Sequence, residues 1–405
     1  MRKQPLISIV VPTRNRPEYV CYALESLLRQ TNSEFEVIVS DNHTGRPCKA
    51  VFDRLADRRF RYVVPPAPMA MHDHWEFAVN QAAGDFVTVL IDKTVLRPTA
   101  IAHLLGGIAA QPADAYSWWN EGYDLLEEEA GNIGPGRYVS VYSLSRTREI
   151  NTRKEIERRF TFDVKRGREG KNYYYGKICF GAYSRQLLQR IRETFGRVFT
   201  AISPDYTSMI AALAVADRVI DLGRPLLISM NTRVSNGMLC ATQSEKAIGF
   251  LREIDPTLRI VDRLPISGLY MSVHNLVAYD YLRLATTRLR AGPVATINLG
   301  NLAQRAHEDL AAVQVWRSEG ERTEQTACLE HFVRANGITL RPPMRPLLRA
   351  FGRVQNAYAS GISPSGIVNL VAREVSGRVP FPQRVIGRRN CFGSVVEAAA
   401  AADRR

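Results

Sequence analysis

The side chains best equipped for chemistry in the first hundred positions stand where apolar runs stop. Phe86 to Ile91 gives way to Asp92, Lys93 and Thr94, Leu6 to Val11 runs into Pro12, Thr13, Arg14 and Arg16, and Phe35 to Ser40 ends in Asp41 and Asn42. Carboxylates, cations and hydroxyls delivered by three buried strands to their carboxyl ends would line the crevice in which open parallel sheets bind ligands. A further carboxylate, Asp205, follows Ser203 and Pro204. Ser as cap, Pro as first helical residue and Asp in the first turn signal a helix start, and the helix dipole keeps such a carboxylate ionised.

The elements that must hold these groups follow from residue spacing. Pro17 and Glu18 open a helix whose Val20, Leu24, Leu27 and Leu28 recur on one face. It leads into the second strand, a strand-helix-strand order that predicts a right-handed parallel pair. A third strand is predicted at Phe60 to Val64, and Asp73 with Glu76 reads as a capping box for the next helix. His72 and His74 flank that cap and read as surface residues, and Trp75 as packing. A helix over Ala100 to Ala110, a strand over Asp114 to Trp119 and a last strand over Arg224 to Met230 complete an α/β domain. From about Leu239 the pattern is mainly helical.

The chain has 405 residues, 45% hydrophobic and 23% charged, within the range of ordinary globular proteins. No run approaches the ~18 apolar residues that a membrane span needs. The basic start followed by six apolar residues reads as a strand rather than a leader. Six cysteines without paired spacing predict free thiols in a reducing compartment. The net charge of +14 implies an acidic partner. Nucleic acid is not expected, because aromatic and basic residues do not interleave and no binding motif is present. Arg341, Arg345, Arg349 and Arg353 fall four apart, a basic face suited to an anionic membrane surface if helical. Lys165, Arg166, Arg168 and Lys171 crowd a glycine-containing loop.

VVPTRNRPEYVCYALESLLRQ, then FEVIVSDN, then AVNQAAGDFVTVLIDKT, in this order and spacing, resemble the family-2 glycosyltransferases, over roughly residues 5 to 235. The resemblance implies a GT-A fold, a mostly parallel Rossmann-like sheet flanked by helices. It places the transferase domain at residues 1–237, with a nucleotide-binding half at about 5–98 and an acceptor half at about 99–237, ahead of a mainly helical region at 238–405. It also implies an inverting transfer of a sugar from a nucleotide-diphosphate donor to a polysaccharide or lipid-linked acceptor. The free thiols and the basic face add the expectation of a cytoplasmic protein, peripheral at the inner face of the plasma membrane. Pro12, Thr13, Arg14, Arg16, Asp41, Asp92 and Lys93 would then bind donor, and Asp205 would be the general base.

Two positions depart from the family pattern. Residues two apart in an extended segment point the same way, so paired carboxylates there can share Mn2+ or Mg2+. Here the partner of Asp92 is Thr94, which brings no charge, and Lys93 could instead offset charge on the leaving diphosphate. Metal dependence is therefore expected to be weak or altered. Trp75 and Glu76 stand where many members carry Arg-Asn, which removes a phosphate contact. The missing carboxylate also leaves open a second reading, a catalytically inactive relative that binds nucleotide sugar or glycan.

Overall fold

A computed structural model describes residues 6–42, 45–125, 128–129, 132–133, 135–140, 144–162, 174–232, 235–286, 296–341 and 391–403. The basic loop at Lys165 to Lys171 and the arginines at 345, 349 and 353 lie outside the described residues.

The apolar runs form β1 (Ile7–Thr13), β2 (Phe35–Asp41), β3 (Phe60–Val63) and β4 (Phe86–Val89), which lie in the order β3-β2-β1-β4 with every pair parallel. β1 is buried at all seven positions, as a strand covered on both faces must be. The connections are α1 (Pro17–Leu28), α2 (Lys49–Asp53) and α3 (Met71–Asn80). Val20, Leu24 and Leu27 of α1 are buried as its sequence period predicts, together with Ala23, whereas Leu28, expected on the same face, is exposed.

Beyond β4 the chain departs from expectation. The strand does not run on through Ile91: residues 91 to 94 make a turn, in which the Thr94 amide donates to the Ile91 carbonyl at 2.8 Å. The chain then re-enters the sheet as β5 (Thr94–Leu96), antiparallel to a later strand. Asp92 and Lys93 therefore sit in a turn held at both ends.

The second half of the sheet follows α4 (Ala100–Ala110). It comprises β6 (Ala115–Leu125), β9 (Gly136–Val139), β10 (Arg148–Glu149), β11 (Gly181–Ser184) and β12 (Val219–Asn231), while β7 (Glu128–Glu129) and β8 (Asn132–Ile133) pair as a separate short ribbon. Helices α5 (Thr152–Phe160), α6 (Arg185–Phe195) and α7 (Pro204–Val215) lie among them in sequence. β11 runs antiparallel between β4 and β6, and β6 pairs in parallel with β12, giving a mixed, mostly parallel sheet of eleven strands. Gly181 is required where β11 meets β6, because a Cβ there would stand 2.4 Å from the Tyr116 carbonyl oxygen and 2.8 Å from that of Lys177.

The helical region is α8 (Asn236–Thr242), α9 (Ser244–Ile254), α10 (Arg259–Asp262), α11 (Val273–Thr286), α12 (Leu299–Leu310) and α13 (Glu319–Ala335). Val277, Ala278, Tyr281 and Leu284 of α11 share one apolar core with Trp75, Phe199 and the buried face of α7. At the far end of the chain, β13 (Cys391–Phe392) pairs with β9, and α14 (Val395–Asp403) packs with Tyr19, Val95, Tyr123 and Ile228. The last described residues thus return to the sheet rather than staying with the helices.

The capping box is not formed. α3 starts at Met71, and Asp73 instead pairs with Arg197 at 2.7 Å while Glu76 accepts from the amides of Val198 and Phe199. Tertiary partners with charge or free amides outcompete a local cap. All six cysteines are free, and no helix among the described residues is long and apolar enough to cross a membrane.

Candidate active site

The parallel register places Thr13 opposite Asp41 and Pro12 opposite Ser40, so the ends of β1 and β2 are flush. The Thr13 hydroxyl donates to Asp92 at 3.2 Å, and Arg16 approaches the other Asp92 oxygen at 3.5 Å. Burial pushes the Asp92 carboxyl up, against the opposing pull of Arg16, Thr13 and Lys93. Thr13 and Arg16, both singled out by sequence, therefore meet at Asp92. Arg16 also donates to the Asn236 side chain at 2.7 Å, whereas Arg14 turns outward to an exposed pair with Glu253 at 2.9 Å. Lys93 is half-buried, and its carbonyl accepts from Met230 at 3.0 Å.

Asp41 is 2% exposed. One of its oxygens accepts from the Cys48 amide at 2.8 Å and the Tyr62 hydroxyl at 2.7 Å, which ties down the loop after β2. Its other oxygen, Oδ1, is buried without a hydrogen-bond partner. An unsatisfied buried carboxylate oxygen costs of order 1–3 kcal/mol, and a ligand donor would remove that cost. Next to it His74, expected at the surface, is buried with its Nε2 2.9 Å from the Ser40 hydroxyl, and burial brings its pKa down to about 4. It is a neutral brace under the end of β2.

The donor set around Asp92 does not fit a divalent cation. Hard cations want several oxygen ligands carrying charge. Here both Asp92 oxygens already face Thr13 and Arg16, and Thr94 turns its hydroxyl onto the Ile91 carbonyl at 2.6 Å. The turn at 91–94 removes the shared direction that an extended segment would have given residues 92 and 94. Among the described residues no three His, Cys, Asp or Glu side chains gather as a metal site.

Asp205 lies in the first turn of α7, with Ser203 as cap residue and Pro204 first, although the Ser203 side chain makes no capping bond. The carboxylate pairs with the Lys177 ammonium at 3.1 Å. The lysine side chain is 0% exposed and the aspartate side chain 26%, so solvent reaches the pair through the carboxylate. The Lys177 ammonium also lies over the Tyr206 ring, 3.5 Å from its centre. Lys177 immediately precedes the 3-10 turn Ile178–Phe180, and the Ile178 carbonyl accepts from Thr88 on β4. The base candidate is thereby braced against the strand that leads to Asp92.

Sequence reasoning missed Lys177, Tyr62 and the burial of His74. Lys177 had one readable signal, a lone lysine opening the apolar segment Ile178 to Tyr183. Tyr62 and His74 had none, since each is fixed by a strand end far away in sequence.

Comparison with known proteins gives a consistent result. Residues 8–191 match the family profile described as Glycosyl transferase family 2. The chain is 29% identical over 114 residues to Protein CgeD of Bacillus subtilis, covering 26% of this chain and 27% of that protein. It is 28% identical over 165 residues to the GalNAc(5)-diNAcBac-PP-undecaprenol beta-1,3-glucosyltransferase of Campylobacter jejuni, covering 39% of this chain and 49% of that protein. The chain thus spans between a quarter and half of the length of these relatives. Among solved structures, that of S. aureus TarS 1-349 in complex with UDP aligns with a TM-score of 0.44 at 15% identity, covering 83% of this chain and 93% of that one.

Proposed function

We propose that the protein, whose residues 8–191 match the profile of Glycosyl transferase family 2, is an inverting glycosyltransferase that uses a nucleotide-diphosphate sugar. The observation that carries the donor assignment is the partnerless buried oxygen of Asp41, flush with Thr13 and beside the Thr13–Arg16–Asp92 cluster. A nucleoside donor group would satisfy that oxygen, with Pro12 and Thr13 forming the floor. The diphosphate would extend toward Arg16 and Lys93, and Arg14 would stand at the rim.

In the reaction Asp205 takes the proton from an acceptor hydroxyl as its oxygen attacks the anomeric carbon from the face opposite the diphosphate. The new glycosidic bond forms as the bond to the diphosphate oxygen breaks, and configuration inverts. Lys177 holds one carboxylate oxygen of Asp205, so the proton is received in a fixed geometry. Arg16 and Lys93 supply the positive charge that the departing diphosphate needs. The acceptor class we infer is a polysaccharide or lipid-linked glycan, supported by the name of the Campylobacter relative. The place of action we infer is the cytoplasmic side of a membrane, with the protein bound peripherally.

A panel of nucleotide-diphosphate sugars tests the reading through thermal unfolding. At 100 times its Kd a true donor adds about 2.7 kcal/mol of stability, and a flat panel overturns the proposal. With the donor so identified, Asp205→Asn should lower turnover by about 10²- to 10⁴-fold while donor binding persists. Undiminished turnover in that variant sinks the base assignment, and a wild type that binds donor without turnover favours the inactive relative. Chelator should leave wild-type turnover unchanged. Complete loss on chelation overturns the assignment of the diphosphate charge to Arg16 and Lys93.

A further inference from the structure

The loop from Val198 to Ser203 delivers Asp205 to the site, yet none of its amides joins a sheet. The Val198 and Phe199 amides donate to Glu76 Oε2 at 2.9 and 3.0 Å. The Thr200 amide donates to the Thr207 hydroxyl at 3.3 Å. The Ile202 amide donates to both Asp280 oxygens at 2.8 Å, and the Ser203 amide to Asp280 Oδ2 at 2.7 Å. Two carboxylates, one from α3 and one from α11, thus hold four amides of a six-residue loop. The side chains repeat the arrangement. Phe199 packs edge-on against Trp75 with ring centres 5.5 Å apart, and Ile202 is buried with Leu251, Met271 and Leu276 of the helical region.

Asp280 is 0% exposed, in a helix whose neighbouring Val277, Ala278, Tyr281 and Leu284 are all buried and apolar. Helix packing alone would favour an apolar residue there, because a buried carboxylate is costly unless hydrogen bonds compensate it. The bonds that compensate this one all belong to the loop that ends at the cap of α7. The same helical region reaches the opposite side of the site, where Asn236 accepts from Arg16 and Glu253 from Arg14.

We propose that Asp280 and Glu76 are positioning residues that fix the 198–203 loop and thereby set Asp205 at its working distance from the donor. The region from α8 to α11 then acts as part of the active site, gripping the donor end through Asn236 and Glu253 and the base end through Asp280. This rests on the reading of Asp205 as the base.

The test is Asp280→Asn, which keeps shape but replaces one of the two acceptor oxygens with a donor group that faces the Ile202 amide. Turnover should fall by about 10- to 100-fold, the scale of a small misplacement of a reacting group. Binding of UDP or GDP, whichever stabilises the wild type, should stay within about twofold, the pattern of a contribution made only in the transition state. Hydrogen exchange at the amides of residues 198–203 should rise in the same variant. Where Asp280→Asn does not fold, Glu76→Gln carries the test with the same expected pattern. Wild-type turnover in a folded variant, or unchanged protection of the loop, overturns the inference. If the wild type turns over and Asp205→Asn does not, that outcome leaves the transferase reading standing. A wild type that neither binds nucleotide nor turns over removes both.

Discussion

The residue whose role changed most on folding is Lys177. A lysine with no exposed side chain is rare unless it is paired, and its pairing here is with the one carboxylate proposed to take a proton. An ammonium fixed against one oxygen of Asp205 restricts the carboxylate's rotation and leaves its exposed part for the acceptor. Lys177→Met keeps the volume and removes the charge, and since Asp205 is partly solvated the protein should still fold. Turnover should drop by about tenfold or more, a fraction of what a general base contributes, with nucleotide affinity unchanged. Equal turnover in wild type and variant would reduce Lys177 to a packing residue. Asp41 was legible as a strand-end carboxylate and Asp92 as a carboxylate following an apolar run, whereas Lys177 was not, because nothing near it in sequence announces the carboxylate 28 positions later.

At the scale of elements, the turn between β4 and β5 is held by segments the local sequence does not reveal. Arg97, just past β5, donates to Asp403 at 2.9 Å and lies 3.6 Å from the buried Glu121, and the Thr99 amide also donates to Asp403 at 2.8 Å. The last helix therefore fastens the strand that re-enters the sheet after Asp92. Asp403→Ala should destabilise the fold by about 1–3 kcal/mol, because it leaves a mostly buried guanidinium and an amide without their acceptor. Urea midpoints of wild type and variant measure this, and coincident curves would show that the clip contributes nothing. Strand periodicity forecast β1 and β2 closely, since those strands are buried on both faces, and also found the edge strand β3. It overran β4, since an apolar run does not record where an antiparallel partner such as β12 captures the chain.

For the whole molecule, the surplus of 14 positive charges supports the proposed place at an acidic surface, in which a lipid-linked acceptor would lie. Cosedimentation with vesicles containing anionic lipid should be strong at low salt and fade as ionic strength rises, because screening shortens the reach of surface charges. Binding that is equal on neutral vesicles, or absent on anionic ones, would break the link between charge and location. The sheet and the helical region share one core through α7 and α11.

The α/β sheet, the helix that starts at Pro204 and the strand ends that carry Thr13 and Asp41 are legible in the residues alone, because burial and helix period leave their mark on neighbouring residues. Only the tertiary structure decided that Arg16 faces Asp92, that Thr94 turns away, that Lys177 sits under Asp205, and that Asp280 and Glu76 hold the loop before it. Each of those contacts joins residues from different elements, most of them far apart in the chain, and a hydrogen bond between distant side chains imposes no period on the residues around either one.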